Sequence, residues 1–309
     1  MSLLRGYLLV VVSAIAFGVM PVIAVFAYRH GVSVPTLLLA RFGLSAVVLV
    51  VGLAALRRLR LPATRAMLVL GLMGVIYCGQ SSLYFSAVQR ISPALVGLLL
   101  YLYPSLVALL SSIVNHDRLT RGVVLSLVLS FVGIALCLGR IGGGSDLVGV
   151  ALGAAAPFLY AIYIVLGDRV GRGVPPLMSS ALVCASAALS FVVAGLVTSS
   201  LDVGAALRGW VPVAGVAVVG GVIAVTCFFA GMGVLGATRA SIVSTAEPVV
   251  TVLATALVLG GTLSGLQWLG AALVVVGAIV GVRAHAGQDG AHAGQDGAHA
   301  PVAPGLRPS

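Results

Sequence analysis

Residues 5–29 read RGYLLVVVSAIAFGVMPVIAVFAYR, an apolar run with an arginine at each end. The 23 residues between Arg5 and Arg29 carry no charge. Since about 20 apolar residues cross the hydrocarbon core of a bilayer as an α-helix, this run is long enough to span a membrane. It therefore predicts a membrane-spanning helix that is retained at the start of the chain.

The same pattern recurs along all 309 residues, of which 61% are hydrophobic and 8% charged, with a mean hydropathy of +1.21. This composition excludes a soluble globular domain. Continuous apolar runs favour α-helices over the alternating strands of a membrane barrel. The sequence thus predicts an all-α integral membrane protein with ten spans, at about residues 6–28, 34–56, 66–88, 93–114, 121–139, 147–167, 177–198, 209–233, 238–260 and 265–283.

All 17 basic residues are arginines, which excludes the lysine-dependent sites of P-loop ATPases and of Schiff-base enzymes. The arginines lie singly between apolar runs, so the net charge of +10 does not indicate nucleic-acid binding. With the N-terminus in the cytoplasm, 12 arginines fall on the cytoplasmic side and 4 on the opposite side, and Arg41 lies inside a span. The positive-inside rule therefore predicts a plasma-membrane protein with both termini in the cytoplasm.

An internal repeat divides the chain into two halves. A shift of 144 residues lays 71–133 onto 215–277 without a gap, so that Pro104 meets Pro248 and Gly133 meets Gly277. Five spans per half is an odd number, which predicts two repeats of inverted topology. The predicted units are a first repeat at 1–140, a second at 141–283 and a disordered cytoplasmic tail at 284–309, which repeats AGQDGAH and lacks apolar surface.

Paired motifs in the two halves carry a resemblance to a known family. They are SPA at 92–94, YPS at 103–105 and DRLT at 117–120, then AS at 240–241, AEPV at 246–249 and GTLS at 261–264. With these motifs the chain resembles the EamA-type transporters of the drug/metabolite transporter superfamily. The resemblance implies a ten-helix fold of two five-helix repeats and the transport of a small molecule.

Two ionisable residues lie inside predicted spans. Glu247, the only glutamate, is nine residues into its span, about 14 Å by helical rise and near the middle of the bilayer. A charge there is costly, so Glu247 is either a coupling carboxylate that binds a proton in a cavity or a structural tie between helices. Arg41, about 10 Å into its span, either extends outward to the interface or reaches inward to an anion.

Other polar groups inside the spans need hydrogen-bond partners, and they either line a polar cavity or join helices. The predicted binding residues besides Glu247 and Arg41 are Gln80, Tyr84, Tyr101, Tyr103, Tyr163 and Thr226, with Tyr77, Ser81 and Tyr160 as further candidates. Pro104 and Pro248 each lack a backbone N–H and predict bends in their helices.

These features predict a secondary transporter that works by alternating access and exports a small polar metabolite, an amino acid or a drug. Its predicted partners are the substrate, a coupling proton and the lipid bilayer, with no cofactor and no metal; a homodimer is left open. One alternative is a nucleotide-sugar or lipid-linked carrier of the same fold, which would need several basic cavity residues where only Arg41 qualifies. A membrane-embedded enzyme would need clustered acids or histidines, and the acids are dispersed.

Overall fold

The fold is known from a computed structural model, which describes residues 3–114, 121–138, 146–171, 174–235, 240, 243–244, 246–260 and 264–298. All regular secondary structure in these ranges is helical. The motif at 117–120, residues 261–263 of its counterpart and the end of the tail at 299–309 lie outside them.

The first half of the chain contributes six helices. They are α1 (Leu3–Arg29), α2 (Val34–Ala55), α3 (Thr64–Val88), α4 (Pro93–Leu100), α5 (Tyr103–Val114) and α6 (Arg121–Leu138). Two of them begin at a serine cap followed by a proline: the Ser33 hydroxyl accepts a hydrogen bond from the Thr36 amide, and the Ser92 hydroxyl accepts one from the Leu95 amide. Such caps satisfy amides that have no partner inside the helix.

The second half contains a π-helix between α-helices. Its elements are α7 (Leu147–Gly171), α8 (Pro176–Val197), α9 (Val203–Arg208), α10 (Trp210–Gly215), the π-helix (Val216–Ile223), α11 (Ala224–Leu235), α12 (Glu247–Leu259) and α13 (Gly265–Ala298). A single regular helix was predicted at 209–233. The structure differs because the backbone there switches to the wider i→i+5 bonding, which apolar periodicity does not reveal.

The lengths of the helices match a membrane protein. In the residues that the structure describes, six are long and apolar enough to cross a bilayer: Leu3–Arg29, Val34–Ala55, Thr64–Val88, Leu147–Leu166, Leu177–Val197 and Trp210–Phe228. Four shorter apolar helical stretches in the same residues are Pro93–Val107, which includes the turn between α4 and α5, and Val124–Gly133, Glu247–Leu259 and Gly265–Gly281. Each of these ten overlaps one predicted span. The helical membrane fold is therefore confirmed, and the number of crossings stays a prediction.

The last helix extends into the predicted tail. Residues 284–309 were predicted to be disordered; α13 is described as far as Ala298, and the disorder of the remainder stays a prediction. The two copies of AGQDGAH contain no proline, and alanine and glutamine favour helices, whereas the two glycines in each copy do not.

The helices pack in pairs that correspond between the halves. Helix α1 of the first half lies against α11 of the second half, and α7 of the second half lies against α3 of the first half in the same way. The second helix of each half, α2 and α8, pack on each other, as do the last helices, α6 and α13. Each of these four pairs joins a helix before residue 140 to one after it, and the division into two repeats stays a prediction.

Glycines bring α6 and α13 into close contact. A β-carbon added at Gly133 of α6 would lie 2.6 Å from the carbonyl oxygen of Gly270 and 2.9 Å from the amide nitrogen of Val274. A side chain at Gly133 would therefore push against the backbone of α13. Small residues at such crossings let membrane helices approach closely.

A glycine of α13 makes an equivalent close contact with the backbone of α6. A β-carbon at Gly277 of α13 would lie 3.1 Å from the carbonyl oxygen of Ser126 and 3.0 Å from the amide nitrogen of Ser130. The Ser126 hydroxyl donates to the Gly277 carbonyl at 2.8 Å, and the Ser105 hydroxyl of α5 lies within hydrogen-bonding distance of both serines. The positions in contact are related by the 144-residue shift of the sequence repeat: 126 corresponds to 270, 130 to 274 and 133 to 277.

One exposed ion pair joins the loop after α3 to the start of α7. Nη1 of Arg90 lies 2.6 Å from Oδ2 of Asp146, and the Gly149 amide donates to Oδ1 at 3.1 Å. The hydrogen bond from Arg90, with help from the Gly149 amide, holds the pKa of Asp146 below its usual value. Asp146 thus stays charged as it caps α7, although solvent limits what such a pair adds to stability.

Candidate functional site

The cation of the site, Arg41 of α2, is buried, with 4% of its surface exposed. Its guanidinium carbon lies 4.8 Å from the ring centre of Phe42 and 5.8 Å from that of Phe85. Nη2 lies 3.4 Å from the Tyr77 hydroxyl, and Nε has no hydrogen-bond partner among the described residues. Of the two predicted orientations of Arg41, the structure therefore has the inward one, with the cation resting on aromatic rings.

The π-helix supports the backbone at Arg41. The Ser45 hydroxyl donates to the Arg41 carbonyl oxygen at 2.7 Å. A β-carbon at Gly221 of the π-helix would lie 3.0 Å from the same oxygen, so only glycine allows this approach. The π-helix thus packs directly against the backbone at Arg41, and π-helical turns are frequent at functional sites.

The carboxylate of the site, Glu247, is partly buried at the first residue of α12. The Tyr101 hydroxyl lies 3.2 Å from Oε2 of Glu247 and 2.6 Å from the carbonyl oxygen of Ser244. Because a hydroxyl has one proton, Tyr101 donates to one of these acceptors at a time. On the other side, a β-carbon at Gly18 of α1 would lie 2.8 Å from the Glu247 carbonyl oxygen. Three parts of the chain therefore meet at Glu247.

Helices begin anew at both predicted proline positions. The turn at Tyr101 and Leu102 separates α4 from α5, and Pro104 is the second residue of α5. Pro248 is likewise the second residue of α12, after a turn at Ala246. Proline is favourable in the first turn of a helix because its missing N–H needs no partner there. The predicted role of Pro104 and Pro248 in transport stays a prediction.

Five tyrosines form a continuous row between Arg41 and Glu247, which we call the tyrosine row. In order from the Arg41 end they are Tyr77 of α3, Tyr163 and Tyr160 of α7, and Tyr103 and Tyr101 of the first half. Successive ring centres are 5.0, 5.8, 4.8 and 5.7 Å apart. These spacings are typical of interacting aromatic side chains. Arg41 and Glu247, both described, form no ion pair with each other.

The structure brings together five of the predicted binding residues, which are Arg41, Tyr101, Tyr103, Tyr163 and Glu247. Tyr77 and Tyr160, the further candidates from the sequence, complete the connection between them. Among the described residues, no group of three histidines, cysteines or acids is placed to hold a metal.

The other predicted residues are placed differently. Gln80 and Tyr84 are buried on α3 at spacings of three and seven residues from Tyr77, and so lie on its face of the helix. The amide oxygen of Gln80 accepts a hydrogen bond from Ser81 at 3.2 Å. Thr226 is exposed on α11 and makes none of the contacts described above.

Several residues that shape the site were missed by the sequence analysis. Phe42 and Phe85 support Arg41, and the position of Phe42 directly after the arginine was an available signal for a cation on a ring. Gly18 and Gly221 allow close approach to the backbone at Glu247 and Arg41. With 40 glycines in the chain, nothing in the sequence distinguishes these two.

The arrangement of helices and the repeat agree with a known family of membrane proteins. The model of the EamA-like transporter family matches residues 4–139 and 147–283. The chain belongs to this family. It is thus a multi-pass membrane transporter of the drug/metabolite transporter superfamily. Its family implies a small-molecule substrate and a position in the lipid bilayer.

Individual relatives are also transporters. The uncharacterized transporter YyaM of Bacillus subtilis is 28% identical over 259 residues, which cover 77% of this chain and 81% of YyaM. The aromatic amino acid exporter YddG of Ancylobacter novellus is 32% identical over 117 residues, covering 36% of this chain and 40% of YddG. A crystal structure of another protein superposes with a TM-score of 0.60 at 24% identity, covering 88% of this chain and 95% of that one.

Proposed function

We propose that the chain is a secondary active transporter of the plasma membrane that exports a small polar metabolite, an amino acid or a drug by alternating access. The observation that carries the proposal is the pair of opposite charges, Arg41 and Glu247, at the two ends of the tyrosine row. Charged side chains inside membrane proteins are costly and usually mark substrate or ion pathways. Both halves contribute, since Tyr160 and Glu247 belong to the second.

We further propose that the two halves are inverted five-helix repeats that rock about this site. Three observations support this: the family matches the chain twice, ten apolar helices lie in the predicted spans, and α6 and α13 make the same glycine contact in both directions. Transporters built from inverted repeats bind substrate at the repeat interface near the middle of the bilayer.

Among substrate classes, amino acids are supported best. A carboxylate and an ammonium group suit a site with one cation and one acid, and the aromatic amino acid exporter among the relatives points to the same class. A nucleotide-sugar or lipid-linked substrate is less well supported because phosphate binding usually uses several basic groups. Arg41 is the one cation in the site as built from the described residues.

The orientation of the chain can be tested with reporters. We expect both termini and the loop at 57–65 to lie in the cytoplasm, because 12 arginines then fall on that side. Fluorescent protein fused after Arg65 or Arg283 should be bright, and periplasmic phosphatase at the same positions should be inactive. Active phosphatase at either position would overturn the orientation.

Transport itself can be tested by metabolite profiling of cells and medium with and without expression of the chain. We expect one class of amino acid to become enriched several-fold in the medium. Cells that express the matched Arg41→Gln variant at the same membrane level serve as the control. Depletion of that class from the medium would instead show import, and the absence of any difference would contradict the proposed export.

A further inference from the structure

The Arg41 guanidinium forms no ion pair within the part of the chain that the structure describes. It has five N–H donors. Its one hydrogen bond to the described residues is the 3.4 Å contact with the neutral Tyr77 hydroxyl, and Nε is buried with no partner. A buried charge is normally paired, because leaving water without a partner is costly. The site is therefore built to receive an anion.

We propose that Arg41 binds the carboxylate of the substrate and that the tyrosine row holds an adjoining flat apolar group. This inference rests on the proposed transport function and narrows its substrate class to aromatic carboxylates. The carboxylate is bound through two parallel hydrogen bonds from the guanidinium, an arrangement that suits the planar fork of arginine.

The surroundings of Arg41 favour a carboxylate over other anions. A single cation matches the single charge of a carboxylate, whereas a phosphate carries more charge and more acceptors than one guanidinium satisfies. The rings of Phe42, Phe85 and Tyr77 lie within 6.0 Å of the guanidinium carbon, so the space beside the charge is apolar. The rings of Tyr77, Tyr160 and Tyr163 stack on one another, with interplanar angles of 8 to 23° and ring centres 5.0 to 6.1 Å apart, so the side chains that continue from Arg41 are aromatic.

The acid and the amine of the substrate therefore contribute differently to binding at Arg41. Removing the carboxylate should cost at least tenfold in affinity, which corresponds to one lost charge-assisted interaction. Removing the ammonium should cost less at Arg41, because the guanidinium is a cation and makes no favourable contact with an ammonium group.

The test uses the full chain, purified in detergent, and measures the shift in thermal unfolding with four probes: phenylalanine, 3-phenylpropionate, phenylalaninamide and inorganic phosphate. We expect the two carboxylates to raise the unfolding midpoint, and the amide and phosphate to have at least tenfold weaker effects. In Arg41→Gln the shift with the carboxylates should disappear. In Arg41→Lys, which keeps the charge and loses the fork, it should be reduced.

Comparing the acid with the amide on the unchanged chain keeps the test valid if the variants fail to fold. Equal shifts from phenylalanine and phenylalaninamide, larger shifts with phosphate, or no shift with any probe would each overturn the inference. A failure of the proposed function would look different. If the chain binds carboxylates but does not transport them in vesicles, the proposed transport function is contradicted and the carboxylate site is not. Transport that does not distinguish acid from amide would contradict the carboxylate site alone.

Discussion

Replacing Glu247 with glutamine should abolish proton-driven accumulation of substrate while leaving exchange of labelled for unlabelled substrate intact. Glutamine keeps the shape of the side chain and its ability to accept a hydrogen bond from Tyr101, which lies 3.2 Å from Oε2. It cannot bind and release a proton. If Glu247 is the coupling carboxylate, accumulation in inverted vesicles under an imposed pH difference should fall to background, at least tenfold below the unchanged chain.

The matched control for this prediction is Asp202→Asn. It makes the same change from carboxylate to amide at an exposed residue that caps α9, where asparagine is an equally good cap. We expect this variant to accumulate substrate normally. If Glu247→Gln still concentrates substrate against its gradient, Glu247 is a structural tie between helices and the coupling group is elsewhere.

Replacing Gly277 with valine should remove most of the folded protein from the membrane. Even the first carbon of a side chain there would lie 3.0 Å from the Ser130 amide nitrogen and 3.1 Å from the Ser126 carbonyl oxygen. Because both are backbone atoms, α6 and α13 would have to move apart, which also breaks the bond from Ser126 to the Gly277 carbonyl. Overpacking of this kind costs roughly 1–3 kcal/mol or more.

Fluorescence-detected size-exclusion chromatography of a fluorescent fusion measures this loss as the monodisperse fraction. We expect Gly133→Val to behave like Gly277→Val, because both side chains meet backbone of the facing helix. Gly43→Val in α2 is the control, since nothing lies within 4 Å of a β-carbon at that position. Similar losses from all three substitutions would contradict a specific contact between α6 and α13.

How far the sequence predicts this protein depends on the length scale of each feature. The membrane helices follow from uncharged runs such as residues 6–28, because hydropathy averages over about 20 residues. The π-helix depends on hydrogen bonds shifted by one residue, and such a shift leaves the hydropathy pattern unchanged. The course of α13 beyond residue 283 was missed because low hydropathy indicates exposure to water and does not by itself exclude a helix.

The residues of the candidate site could be selected from the sequence, whereas the contacts between them could not. Glu247 and most of the tyrosines stand out because polar groups are rare inside spans. The direction of Arg41 depends on rings from α2 and α3 and on the support of Gly221, contacts that arise only when distant segments pack together. For the same reason Thr226, which looks equivalent in sequence, lies exposed on α11.

The twofold contact between α6 and α13 has the geometry of a homodimer interface contained in one polypeptide. In a symmetric dimer, residue i of one subunit meets residue j of the other, and j meets i. Gly133 meets position 270 here, and Gly277 meets position 126 in return. Position 126 is a serine and position 270 a glycine, so among the described side chains the hydroxyl bond to the facing carbonyl is made on one side of the contact. The contact therefore ties α6 to α13 as one subunit is tied to the other in a symmetric dimer, and a side chain added at either glycine would separate the same two helices.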